Sequence, residues 1–253
     1  MISPPEIPTR MKILDFTKRE TFNKIQATSD SSLGGYSTVA FDTYRIDNPL
    51  ESDGNNFGGY VAHFHGNLNL NLPDSKPDVA ASGWAMWKTK NKQKGDTQFK
   101  LFYFHPKFAN YWWDFEPFQA LKLRVFSKTN DRKFLINIQT DSMSRTDLYQ
   151  HRLFLNSPGK WETVIIPLDD FVLTNRGHLR KQYQEEMEKD RIKSIGFSIL
   201  DGKYGPYSLY IQDIEVLGGL DLLNTLNESR NENMSLSSKP DTEKLESPSS
   251  SKI

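Results

Sequence analysis

The sequence predicts an all-β domain, a sandwich or a barrel, and three observations predict it. Apolar residues recur with period two, the spacing at which successive side chains of a strand face opposite ways, in a succession of short runs. Gly, Pro and Asn punctuate those runs, while helical periodicity is sparse. The intervals between runs leave no room for the crossovers of about a dozen residues that a parallel sheet requires.

The elements follow in chain order. Prolines at positions 4, 5 and 8 exclude a stable helix at the start, so residues 1–10 are expected to be a flexible N-terminus. Thr17 is a candidate cap for a short helix carrying Phe22 and Ile25. From Tyr60 to Leu72, Tyr60, Ala62, Phe64, Leu68, Leu70 and Leu72 share one parity. His63, His65, Asn67, Asn69 and Asn71 share the other. That is the pattern of a half-buried antiparallel strand, with Gly66 as a candidate bulge.

The same alternation marks Leu121–Val125, Phe134–Gln139, Tyr149–Leu155 and Ile195–Ile199, and Trp161–Ile166 forms a short apolar strand stopped by Pro167. In the last run Tyr207, Leu209 and Ile211 are odd while Ile214 and Val216 are even, which predicts a one-residue bulge near Gln212–Asp213. Gln182–Lys189 is expected to form one or two helical turns. The stretch from Asn224 to Ile253 holds eight serines and no aromatic residue, too little apolar surface to offset chain entropy. The expected organisation is a β-sandwich domain over residues 11–217 and a disordered polar tail over 218–253.

Bulk properties exclude several functions. Lys plus Arg and Asp plus Glu number 32 each, and no basic run exceeds two residues, which argues against nucleic acid. No apolar run approaches the ~20 residues of a membrane helix. There is no cysteine, hence no disulfide, thiolate nucleophile or zinc–thiolate site. The first residues match neither a secretory signal nor an import presequence.

Candidate chemistry is thin. His63 and His65, at i and i+2 on a strand, point the same way and could share an ion with His105, His151 or Asp141. The plainer explanation is two polar residues on an outer sheet face. Asp141, Ser142 and His151 could be imagined as a triad, and Asp169–Asp170 or Glu185–Glu186 as paired acids. No spacing supports either, and turn solvation explains the acids. The pairs Gly34–Gly35 and Gly58–Gly59 fit no phosphate-binding pattern and read as turns.

Trp84, Trp87, Tyr111, Trp112 and Trp113 crowd one stretch. Core packing is the ordinary role of such rings, and an exposed one suits a sugar or a protein. Asp147–Arg152 and Asn175–Arg176–Gly177 add polar groups able to anchor a partner.

In order along the chain, Ile13-Leu14-Asp15-Phe16, TSDSSLGGYSTVAF (28–41), Phe64/Gly66/Leu68, SGWAMWKTK (82–90) and ALKLRVFS (120–127) lead to FLINIQTDS (134–142). They are followed by DLYQHRLF (147–154), WETVIIPLDDFVLTNRG (161–177) and RIKSIGFSILDGKYGPYSLYIQDIEV (191–216). Together these segments resemble the complex I intermediate-associated protein family, mitochondrial assembly factors for NADH:ubiquinone oxidoreductase. The resemblance implies a jelly-roll β-sandwich similar to galactose-binding and carbohydrate-binding modules, with one or two short helices. It implies a chaperone-like, non-catalytic role in mitochondria, with no cofactor. The partners it implies are subunits or other assembly factors of a respiratory complex, through which any membrane contact would be made. Tyr149, His151, Arg152, Asn175 and Arg176 are the candidate partner-binding patch. The alternative is a carbohydrate-binding module that stacks a sugar on Trp112 or Trp113.

Overall fold

Thirteen strands and one α-helix make up the regular structure of a computed structural model that describes residues 7–46, 59–72, 82–91, 112–141, 144, 146–181 and 183–237. The strands are β1 (Arg10–Asp15), β2 (Ile25–Ser29), β3 (Thr38–Ile46), β4 (Gly59–Leu68), β5 (Ala85–Thr89), β6 (Ala120–Phe126) and β7 (Phe134–Thr140). They continue with β8 (Asp147–Arg152), β9 (Trp161–Pro167), β10 (Val172–Asn175), β11 (His178–Leu179), β12 (Ile192–Ile199) and β13 (Gly205–Leu217), and the helix is α1 (Gly219–Ser237). The expected His105, Tyr111 and Ser142 lie outside the described residues.

Two sheets face each other. The first has the order β3-β4-β13-β6-β9, and β1 takes over from β4 alongside the second half of β13. The second has the order β11-β10-β8-β7-β12-β5-β2. Every described pair of strands is antiparallel, which is the expected sandwich. The period-two residues form the core between the sheets. Phe64, Leu121, Leu123, Leu209 and Ile211 from the first sheet meet Trp87, Phe134, Ile136, Ile138 and Phe197 from the second, all at most 1 % exposed. Trp87 stacks on Phe197 with centroids 5.1 Å apart and also meets Phe41 at 4.8 Å.

The bulge expected near Gln212–Asp213 is present. The β13–β6 register steps from Ile211↔Val125 to Asp213↔Arg124, leaving Gln212 unopposed. Gly66 is different. Both of its neighbours keep register through it, and a Cβ there would lie 2.2 Å from the Thr38 carbonyl oxygen. Close approach of β3, rather than a bulge, requires the glycine.

Three helical expectations are corrected. Thr17 caps nothing; its hydroxyl donates to Asp15 Oδ1, and the helical turn is 3₁₀ over Arg19–Lys24, with Ile25 already in β2. Residues 183–188 are irregular, and only Lys189–Arg191 closes a 3₁₀ turn. Its charged residues carry no apolar stripe to dock a longer helix. The stretch after β13 is not disordered throughout, because α1 runs from Gly219 to Ser237. Thr9 Oγ1 donates to Asp221 and Gln119 accepts from Gly219 N–H, which fixes the helix start to the domain.

Where β13 passes between β1 and β6, Glu215 is buried and ion-paired with Lys12 at 3.1 Å and Lys122 at 3.2 Å. Burial pushes the Glu215 carboxyl up, but Lys122 and Lys12 outweigh it and hold the group below the usual carboxylate range. Asp213, 8 % exposed, is raised by burial, and its Oδ1 has no hydrogen-bond partner. A carboxyl whose folded pKa lies above its unfolded value destabilises the fold when charged, and that cost disappears as pH falls through the folded pKa. Asp213→Asn is therefore expected to raise stability by about 1 kcal/mol at pH 7. The gain should shrink as the pH approaches 3.8, the ordinary aspartate value. Urea titrations across that range test it; a pH-independent gain would exclude the charge as the cause.

Candidate docking surface

The expected patch divides by strand parity. On β8, Tyr149 and His151 stand opposite Ile138 and Ile136 of β7 and share their core-facing side, whereas Gln150 and Arg152 face outward beside Asn137 and Leu135. Tyr149 is accordingly no surface residue. It is 5 % exposed, its hydroxyl donates to the Glu186 carbonyl at 2.9 Å, and burial pushes its pKa up to about 12. His151 is half-buried between Phe171 and Phe154, and its Nδ1 is buried without a partner among the described residues.

Arg152 is exposed and its guanidinium lies 4.9 Å above the Phe154 ring, a cation–π contact that holds both side chains in place. Asn175 spends its amide internally, donating to Asp147 Oδ1 at 2.7 Å and Thr146 Oγ1 at 2.8 Å. Arg176 caps the hairpin between β10 and β11.

That hairpin has a two-residue loop, because Asn175 pairs with His178. Arg176 has φ +51° and Gly177 φ +80°, the signs of a type I′ turn, in which Asn or Gly is favoured at the first position. Arginine in the left-handed region costs about 1 kcal/mol or more. Arg176 is the described non-glycine residue that adopts a positive φ, and its exposed guanidinium has no ion-pair partner among the described residues. Neighbouring Arg180, by contrast, is tied to Asp147 at 3.3 Å. A strained position that keeps a free arginine points to use of that side chain.

Sequence reasoning missed the apolar part of this edge. Val172 pairs with Gln150 and Leu179 with Thr174, so both lie on the outward face of the second sheet. They are 44 % and 51 % exposed, and Phe154 is 53 % exposed. The signal was present in the even parity of Val172 against the buried Leu173, but β10 and β11 are too short to show a period. Inward from this edge, Gln150 donates to Asn137 at 2.7 Å and Asn137 to Ser198 at 3.0 Å, a buried polar ladder across β8, β7 and β12.

The remaining candidates do not assemble. His63 Nε2 pairs with Ser208 Oγ at 2.8 Å and His65 Nε2 with Asp42 at 2.9 Å. Among the described residues no group of three or more His, Asp or Glu could hold a metal ion. Asp141 is ion-paired with Lys193, and Asp169 with Lys189. Trp113 exchanges both backbone hydrogen bonds with Ile192 and packs on the core, and Trp112 is half-buried.

The sequence profile described as Complex I intermediate-associated protein 30 (CIA30) matches residues 14–211. The chain is 32% identical over 220 residues to the mitochondrial Complex I intermediate-associated protein 30 of Neurospora crassa, covering 83% of this chain and 74% of that protein. It is 28% identical over 207 residues to the mouse protein of the same name, covering 81% of this chain and 55% of that one. Its fold is similar to a family 11 carbohydrate-binding module of Clostridium thermocellum in complex with a beta-1,3-1,4-mixed-linked tetrasaccharide. That likeness has TM-score 0.51 at 14% identity and covers 83% of this chain and 96% of the module, a likeness of fold alone.

Proposed function

The chain belongs to the Complex I intermediate-associated protein 30 family, and on that premise we propose that it is a mitochondrial assembly factor that binds partly built intermediates of respiratory complex I, or of a related multisubunit complex, without catalysing a reaction. The observation that carries this reading is the match over residues 14–211, which spans the sandwich from the end of β1 to the middle of β13. The edge of the second sheet supports it. An exposed apolar set rimmed by arginines is the composition of protein interfaces, where aromatic and Arg residues anchor. The contacts we assign to the intermediate are Val172, Leu179 and Phe154, with Arg152 and Arg176 at the rim.

Affinity capture of the chain from detergent-solubilised mitochondria is expected to recover complex I subunits. Phe154→Glu with Val172→Glu should lower that recovery about tenfold or more while leaving the melting temperature nearly unchanged, since both side chains are about half exposed. Arg176→Asn should lower recovery yet stabilise the fold by about 0.5–1 kcal/mol, because asparagine suits the turn. Recovery of no respiratory subunit would overturn the reading. Undiminished recovery by the double variant would move the interface elsewhere. The sugar-stacking alternative has no observation in its favour, because Trp113 is fixed against the core and Trp112 is half-buried.

A further inference from the structure

The outward face of the first sheet carries a row of rings that the second-sheet interface does not use. His63 on β4 stands opposite Tyr210 on β13, Tyr210 opposite Phe126 on β6, and Phe126 opposite Trp161 on β9. Tyr44 of β3 completes the row at 5.1 Å from Tyr210 and 6.0 Å from His63. Five rings thus cross five strands in continuous contact, with Phe126 at 5.6 Å from both Tyr210 and Trp161. At ~4.8 Å per strand the row is about 19 Å long. The outer face of an antiparallel sandwich is ordinarily polar, as it is here on the next level, with Arg124, Lys122 and Thr163.

His63 presents its edge rather than a face. His63 is sandwiched between His65 and Tyr210, each with its centroid 4.1 Å away and nearly parallel, so neither face of its ring is free to stack on a sugar. An aromatic edge is the positive part of the ring quadrupole. The row itself is uncharged at neutral pH, because burial, with help from His65, pushes the His63 pKa down to about 4.

The free charge at the β6–β9 end of the row is positive. Glu215 is taken by Lys12 and Lys122, while the Asp42 carboxylate, hydrogen-bonded to His65, lies at the opposite end. Lys128 and Lys160 are exposed at the β6–β9 end, where Gly159 N–H donates to the Ser127 carbonyl, and neither has an ion-pair partner among the described residues. An apolar row about 19 Å long beside unpaired cations fits a helix of about 13 residues at 1.5 Å per residue.

We propose that the outward face of the first sheet is a second docking surface, which takes an amphipathic helix of a partner protein whose apolar stripe lies along Tyr44, His63, Tyr210 and Trp161, over the buried Phe126, and whose acidic flank meets Lys128 and Lys160. It is independent of the second-sheet interface, since the two faces point away from each other.

The probe is a designed 16-residue helix with a leucine stripe and glutamate flanks, titrated into the full chain while the histidine ring protons of His63 and His65 are followed by NMR. The same stripe with lysine flanks and a β-glucan tetrasaccharide are titrated in parallel. The expected result is saturable shifts with the acidic helix and about tenfold weaker binding by the lysine version. Lys128→Glu with Lys160→Glu, and separately Tyr44→Ser, should weaken the acidic helix about fivefold or more without moving the melting temperature by more than a few degrees. Equal binding of both helices, shifts with the tetrasaccharide alone, or variants that bind like wild type would each overturn the proposal. A purely sheet-stabilising aromatic row would lower the melting temperature and leave these affinities unchanged. Phe154→Glu with Val172→Glu should bind the helix normally, so failure here is distinguishable from failure of the second-sheet interface.

Discussion

Asp30→Ala is expected to unfold the domain near physiological temperature, or to lower its stability by about 4 kcal/mol or more. The Asp30 side chain is fully buried at the 3₁₀ turn Asp30–Leu33 that follows β2. Its carboxylate accepts from Ser37 N–H at 2.8 Å, Ser37 Oγ at 2.7 Å, Trp84 N–H at 3.4 Å and Gly83 N–H. One side chain thereby joins the turn that leads into β3 to the start of β5, and so links the two sheets. Removal leaves three backbone N–H groups in a buried site without acceptors, each worth roughly 1–3 kcal/mol, against a total stability of roughly 5–15 kcal/mol. The chain has shaped itself around this group: a Cβ on Gly35 would fall 2.6 Å from its carboxyl carbon. Asp30→Asn should cost less than alanine, since one oxygen remains to accept. Ser37→Ala, which removes one donor to Asp30 and the acceptor of the Asn69 N–H, should cost about 2 kcal/mol. Chemical denaturation of the three variants gives the order; Asp30→Ala falling within 1 kcal/mol of wild type would show that the clamp contributes little.

Nothing local in the sequence marks Asp30 as such a clamp. It stands among polar residues, TSDSS, where turn solvation is the simple explanation, and its partners lie seven and more than fifty residues away. The same distinction runs through the molecule. Strands were legible because period two is local and because a core face must be apolar, so the β13 bulge could be placed from a parity slip. What was not legible depended on which residues meet. Tyr149, His151 and Arg152 looked like one polar group, but adjacent residues of a strand cannot share a face, and the core claimed the first two. Gly66 looked like a bulge because its role is set by the distance to β3. The row Tyr44–His63–Tyr210–Phe126–Trp161 draws single residues from five strands, and only their register assembles it. Helix α1 escaped notice because its polar composition matches that of a solvated tail, and the hydrogen bonds that fix its start come from Thr9 and Gln119 far up the chain.

Gly196→Ala is expected to be nearly as damaging as Asp30→Ala, and for a different reason. Gly196 lies in β12 between Lys88 of β5 and Asn137 of β7. A Cβ there would sit 2.1 Å from the Trp87 carbonyl oxygen and 2.6 Å from Lys88 Cα. Both obstacles are backbone, so no rotamer change relieves the overlap, and β5 must part from β12. That separation breaks their pairing and draws Trp87 off Phe197, the stacked pair at the centre of the second sheet. We expect a loss of about 4 kcal/mol or more, beyond ordinary overpacking, seen as a large fall in the denaturation midpoint. Gly202→Ala is the control. Its φ of +69° disfavours a side chain but nothing lies within 4 Å of the added atom, so strain alone should cost about 1–2 kcal/mol. If the two variants lost equal stability, close strand approach would not be what requires glycine at position 196. The contrast also guards the functional tests. A Gly196 variant should lose complex I subunits in affinity capture because less of it is folded, and with it binding at both sheets. Phe154→Glu with Val172→Glu should lose one interface from a chain that melts like wild type.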